Sequence, residues 1–70
     1  MTRYQKQEDP VSVPDVKCIR ETEKALLCVI EGEEHWIPKS QILDDSEVYA
    51  GEHEGTLVIT EWIAHEKGLD

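Results

Sequence analysis

The stretch that most limits what this chain can become is Ala25 to Pro38, ALLCVIEGEEHWIP. Ala25 to Ile30 is an apolar run of strand length, rich in residues that suit a pleated surface. Glu31-Gly32-Glu33-Glu34 interrupts it, and Gly32 can take the positive φ that a tight turn needs. His35-Trp36-Ile37 resumes the apolar pattern, and Pro38 ends it because proline has no N–H for a ladder. The reading is a β-hairpin. A chain of 70 residues makes one domain, near the lower size limit for folding without metals, disulfides or partners. Everything else must therefore pack on this hairpin.

The rest of the chain supplies short strands and one helical turn. Residues 1–14 carry Pro10 and Pro14 and no periodicity, and read as a loose leader that gains order near Val11 and Val13. Residues 15–70 are the single domain. Val16 to Glu21 alternates as a first strand, and Glu21 to Lys24 fits a turn into the hairpin. A turn centred near Glu23 puts Cys18 across from Cys28. After the hairpin, Pro38 to Ile42 is long enough only for a turn or one 3₁₀ turn. Leu43 to Ala50 reads as a loop followed by a short strand near Val48 and Tyr49. Gly51 to Gly55 is a glycine-bounded turn, and Thr56 to Thr60 is a clear β-branched strand. Thr60 can cap a helix with Glu61 at its positive end, and Lys67-Gly68 stops it. That helix spans only about two turns, so Trp62 or Ile63 must dock on the sheet, with Trp62 the expected core residue. The chain contains no phenylalanine, so the core comes from Val, Ile, Leu and the tryptophans. The expected fold is mainly β with a short C-terminal helix. Four or five antiparallel strands form a small bent sheet or an SH3-like partly open barrel, the barrel being the first choice.

Charge is the most informative bulk property. The formal net charge is −9. Residues 1–30 hold five acids and five bases, whereas residues 31–70 hold eleven acids and two bases. No Lys or Arg occurs from Ser40 to Glu66. Direct binding to nucleic acid or to an anionic membrane is disfavoured, because no cationic patch is offered to phosphates. A basic protein partner is favoured, since opposite potentials speed encounter and reject wrong partners. No apolar run approaches the roughly 20 residues that span a bilayer. The N-terminus lacks a secretory apolar stretch. The expected location is the cytoplasm, with both cysteines reduced.

Candidate chemistry is sparse. Cys18, Cys28 and His35, with His53 or His65, are the residue types that ligate zinc. Nine residues separate the two cysteines, far from the close C-x₂₋₄-C pairs of zinc sites, so neither metal nor cofactor is expected. Ser40 and Ser46 lack a nucleophile context, and no glycine-rich phosphate loop is present, so no enzyme is expected. The acids carry the sharper reading. Glu33, Glu34, Asp44, Asp45, Glu47, Glu52 and Glu54 are the candidate partner-binding set, with Trp36 as an aromatic contact.

The apolar strand, the acid–glycine turn, the Trp-Ile-Pro-Lys-Ser-Gln-Ile segment at 36–42 and the Glu-Trp-Ile-Ala segment with its following Lys-Gly at 61–68 resemble a small family of uncharacterised proteins encoded by bacteriophages and prophages. The resemblance covers roughly Lys24 to Leu69 and leaves out the leader. It implies a mobile-element origin and a bacterial host cell, and transfers no residue role. Two classes of function follow. One is an anti-CRISPR-like inhibitor, a DNA mimic whose acids occupy a basic nucleic-acid-binding site on a host defence complex. The other is an adaptor for phage replication, recombination or host transcription machinery, gripping its partner through an apolar sheet edge around Trp36. Homodimerisation suits either class, because a core this small gains from a partner.

Overall fold

The structure is a computed structural model and describes residues 10–69; the leader up to residue 9 lies outside the described residues. It contains β1 (Val11–Glu21), β2 (Ala25–Ile30), β3 (Glu33–Pro38), a 3₁₀ turn (Lys39–Gln41), β4 (Glu54–Ile59) and α1 (Glu61–Glu66). The strands form one open antiparallel sheet in the order β3-β2-β1-β4. The mainly-β fold with its short C-terminal helix is as the sequence implies. The first strand is longer than expected and takes in Val11 to Pro14.

β1 lies inside the sheet and pairs with a neighbour on each side. Its first half pairs with β4, from Val11 opposite Ile59 to Lys17 opposite Glu54. Its second half pairs with β2, from Lys17 opposite Val29 to Glu21 opposite Leu26. Register shifts fall at Pro14-Asp15, where Asp15 takes φ 58, and at Ile19. Each such bulge bends the strand and adds twist. Both halves then contribute to one core of Val16, Cys18, Leu26, Cys28, Ile30, Ile37, Leu57 and Ile59. These positions follow the period of two that a half-buried strand requires.

The hairpin turn is tighter than the sequence suggests. It consists of Glu31 and Gly32 alone, with φ of 51 and 82. Two successive positive φ values define the type I′ turn, whose twist matches that of the flanking strands. Glu33 and Glu34 therefore belong to β3 and not to the turn.

The short strand expected near Val48 does not form. Its place is taken by a loop in which Val48 plugs the core, while an isolated bridge joins Ile42 to Ile59. The competing interaction is Ser46, whose hydroxyl donates to the Val48 carbonyl at 2.7 Å and accepts the Val48 N–H at 3.2 Å. A side chain that bonds its own backbone in this way curls the chain out of a strand.

Thr60 caps α1 by accepting the Ile63 N–H at 3.3 Å. The helix closes with Gly68 at φ +71, the Gly68 N–H on the His65 carbonyl and the Leu69 N–H on the Ala64 carbonyl. That pair of bonds is the Schellman arrangement. Ile63 and Ala64 are buried, but Trp62 is 56% exposed. The expectation of Trp62 as core is thus corrected. Each helical step turns about 100°, and seating Ile63 and Ala64 rotates their neighbour Trp62 outward.

Candidate interaction edge

An open sheet has two edges, and this one treats them differently. The β4 edge is covered by residues 41–47. Leu43 N–H donates to the Val58 carbonyl, Glu47 N–H to the Thr56 carbonyl and Thr60 N–H to the Gln41 carbonyl, at 2.9, 2.9 and 3.0 Å. Two further β4 donors are met by side chains. Thr56 N–H donates to Glu47 Oε1 at 2.8 Å and Val58 N–H to Ser46 Oγ at 3.1 Å. Gly55 permits this, because a Cβ there would lie 2.5 Å from the Glu47 carboxylate.

The β3 edge has no such cover among the described residues, and its polarity follows from register. Cys18 directs its N–H to the His53 carbonyl and its carbonyl to the Glu52 N–H, at 2.8 and 3.0 Å, so both groups point away from β2. Cys18 and Cys28 are therefore a non-hydrogen-bonded pair, and the alternation of an antiparallel ladder makes Cys28 and His35 a hydrogen-bonded one. Glu34, Trp36 and Pro38 then turn their main-chain groups outward. The proline sits where its missing N–H costs no ladder bond, as an edge position allows. Glu34 and Trp36 each offer an outward N–H and carbonyl, and Pro38 a carbonyl.

The side chains beside this edge are apolar with charged flanks. Arg20, Leu27 and Trp36 share one cross-strand row on the outer face. Trp36 is 44% exposed, Ile19 at the adjoining bulge 41%, and Leu27 between its neighbours only 8%. The next row holds Lys17, Val29 and Glu34, with Glu54 on the far side of Lys17.

The acids read from the sequence as one set do not share one place. Glu33 and Glu34 stand on β3. Asp44, Asp45, Glu47, Glu52 and Glu54 lie in β4 or the loop before it, and β2 and β1 separate the two groups. Glu47 is committed to the Thr56 N–H. Glu33 lies 3.6 Å from His35 Nε2. Glu34, Asp44, Asp45, Glu52 and Glu54 make no ion pair with Lys or Arg among the described residues. The most organised acid is one that sequence reasoning missed. Glu21 accepts from Lys39 Nζ at 2.6 Å and from the Gly51 N–H at 2.8 Å. The Lys39 bond first, and the Gly51 bond second, hold its carboxyl below the ordinary value. Those partners are 18 and 30 residues away in sequence, so no local pattern announces them.

The potential ligands also resolve. Cys18, Cys28 and His35 occupy one cross-strand row on the core side. Yet no group of three His, Cys, Asp or Glu among the described residues is arranged to hold a metal ion. Both thiols are free and buried. Burial first, and the facing Cys18 second, push the Cys28 thiol up to about 12, opposite to what a thiolate ligand or nucleophile needs. Cys18 Sγ donates to the Arg20 carbonyl at 3.0 Å. His53 meets Tyr49 edge-on at 4.4 Å, with Nδ1 buried and without a hydrogen-bond partner among the described residues, and His65 sits on α1. Ser46 is buried and bonded as above, and Ser40 is exposed on the 3₁₀ turn. No helix among the described residues is long and apolar enough to cross a membrane.

Among the described residues, fold and edge together define a small β module with one covered and one open side. Comparison with known protein families, with characterised proteins and with solved structures finds no match.

Proposed function

We propose that this protein is a non-enzymatic interaction module of the bacterial cytoplasm that grips a basic protein partner along β3, with Trp36 as the anchor. The observation that carries the reading is an exposed tryptophan on the one sheet edge left uncovered among the described residues, beside acids that lack cationic partners there. Tryptophan on such a site is a common hot spot, because it buries a large area at small entropic cost. Surplus negative charge adds attraction to a basic partner and speeds encounter. A phage or prophage origin, proposed from the motifs at residues 24–69, would place the partner in the phage's own machinery or the host's. The test is capture from bacterial lysate with wild type, Trp36→Ala and Tyr49→Ala, at low and high salt. A basic partner retained by wild type and Tyr49→Ala but lost with Trp36→Ala supports the reading; equal capture by all three refutes it.

A second reading, inhibition of a nucleic-acid-handling defence complex by an acidic surface, is favoured by Asp44, Asp45, Glu52 and Glu54 beside β4, which make no ion pair with Lys or Arg among the described residues. It predicts binding that collapses with salt and with Lys at Asp44 and Asp45 or at Glu52 and Glu54, while Trp36→Ala leaves it intact.

A further inference from the structure

We infer that the occupant of the β3 edge is an extended basic segment that adds to the sheet as a further strand, with a Lys or Arg opposite Glu34 and an Arg or apolar side chain opposite Trp36. This rests on the proposed role of β3 and goes beyond it by naming the backbone pairing and the chemistry of the guest.

Three observations lead there. The first is the contrast between edges. The β4 edge is sealed with main-chain bonds and with the Ser46 hydroxyl and Glu47 carboxylate, whereas β3 keeps the Glu34 and Trp36 main-chain groups facing out. Exposed edges invite pairing, and proteins ordinarily blunt them. The second is spacing. Glu34 and Trp36 are two residues apart on the same face, so guest side chains opposite them are also two apart, as an added strand provides. The guest residue opposite Glu34 meets a carboxylate with Val29 behind it, and the one opposite Trp36 meets an indole with Leu27 behind it. An arginine satisfies both, by charge at the first and by stacking on the ring at the second. The third observation is charge. A second copy of this chain would bring another net −9 and its own Glu33 and Glu34 to the same edge. A basic segment removes that repulsion.

The probe is an acetylated, amidated peptide of alternating valine and arginine, added to the full-length protein while amide exchange is followed by NMR. One control replaces arginine with glutamate. Another N-methylates the valines in one peptide and the arginines in the next, so that each loses the N–H groups of one edge. Saturation with the Val/Arg peptide is expected to slow exchange of the Glu34 and Trp36 amides about tenfold or more, leaving Thr56 and Val58 unchanged. The Glu peptide and the N-methylated peptide that blocks the pairing edge should give no protection, and Glu34→Lys should weaken binding. If the Val/Arg peptide shifts the Trp36 indole but leaves both amides unprotected, strand addition is overturned while the Trp36 anchor stands. If no peptide binds, strand addition is overturned as well, and the lysate capture, which requires no backbone pairing, judges the anchor separately. Concentration-dependent protection without peptide would assign the edge to a second copy and equally overturn the inference.

Discussion

Ser46 is the residue on which the sealed edge most depends, and Ser46→Ala gives the most quantitative check of the fold. Ser46 is only 5% exposed. It accepts the Val58 N–H of β4 at 3.1 Å and the Val48 N–H at 3.2 Å, and donates to the Val48 carbonyl at 2.7 Å. Alanine has nearly the same shape but no acceptor, so two buried N–H groups lose their partner together. Orphaning one buried group costs about 1–3 kcal/mol. Relaxation of the loop offsets part of that, leaving an expected loss of about 2–4 kcal/mol. A domain this small has only about 3–10 kcal/mol in total, so a large fraction of its stability goes. Urea denaturation followed by tryptophan fluorescence reads the loss. With a slope of about 1 kcal/mol/M for so short a chain, the midpoint should fall by roughly 2 M or more. Ser40→Ala, at an exposed position on the 3₁₀ turn, should change stability by less than about 0.5 kcal/mol. If Ser46→Ala behaved like Ser40→Ala, the hydroxyl would not be what terminates the β4 ladder.

Other consequences follow from the titrating groups. The Glu21 carboxyl lies below its ordinary 4.5 in the fold, so the folded chain holds that proton less tightly than the unfolded one. Its contribution is therefore present above pH 4.5 and lost as pH falls. Glu21→Gln should be less stable than wild type at neutral pH, and urea titrations should converge as pH drops below that value. The Cys28 thiol moves the other way, from 9.0 to about 12. Between those values the unfolded chain ionises and the folded one does not, so wild type should lose stability there and Cys28→Val should lose less. Because both thiols are buried, iodoacetamide should modify native Cys18 and Cys28 only as fast as the fold opens, with mass spectrometry giving the rate. Fast alkylation of the native protein would contradict their burial.

The hairpin, the helix cap and the cross-strand placement of Cys18 and Cys28 were legible because each rests on local chemistry: an apolar run, a glycine, a threonine before a glutamate. Trp62 was misread because a helix under two turns leaves its rotation to the sheet, which took Ile63 and Ala64. The acids looked like one patch because charge accumulates along residues 31–70, yet strand order sends Glu33 and Glu34 to one edge and Asp44 to Glu54 to the other. Register is a tertiary fact, and composition carries none of it. Glu21 and Ser46 escaped for a related reason. An isolated polar residue says nothing of a donor that arrives from 12 or 30 residues away.

Among the described residues, one edge of the sheet is sealed and the other open. Amide hydrogen exchange on the free, dilute protein measures this without any partner. The Thr56 and Val58 amides should be protected, together with His35 and Ile37, while Glu34 and Trp36 exchange at nearly the rate of an unstructured peptide. Protection of Glu34 and Trp36 equal to that of Val58 would mean that the β3 edge is already taken, and the account of how this protein meets a partner would fail.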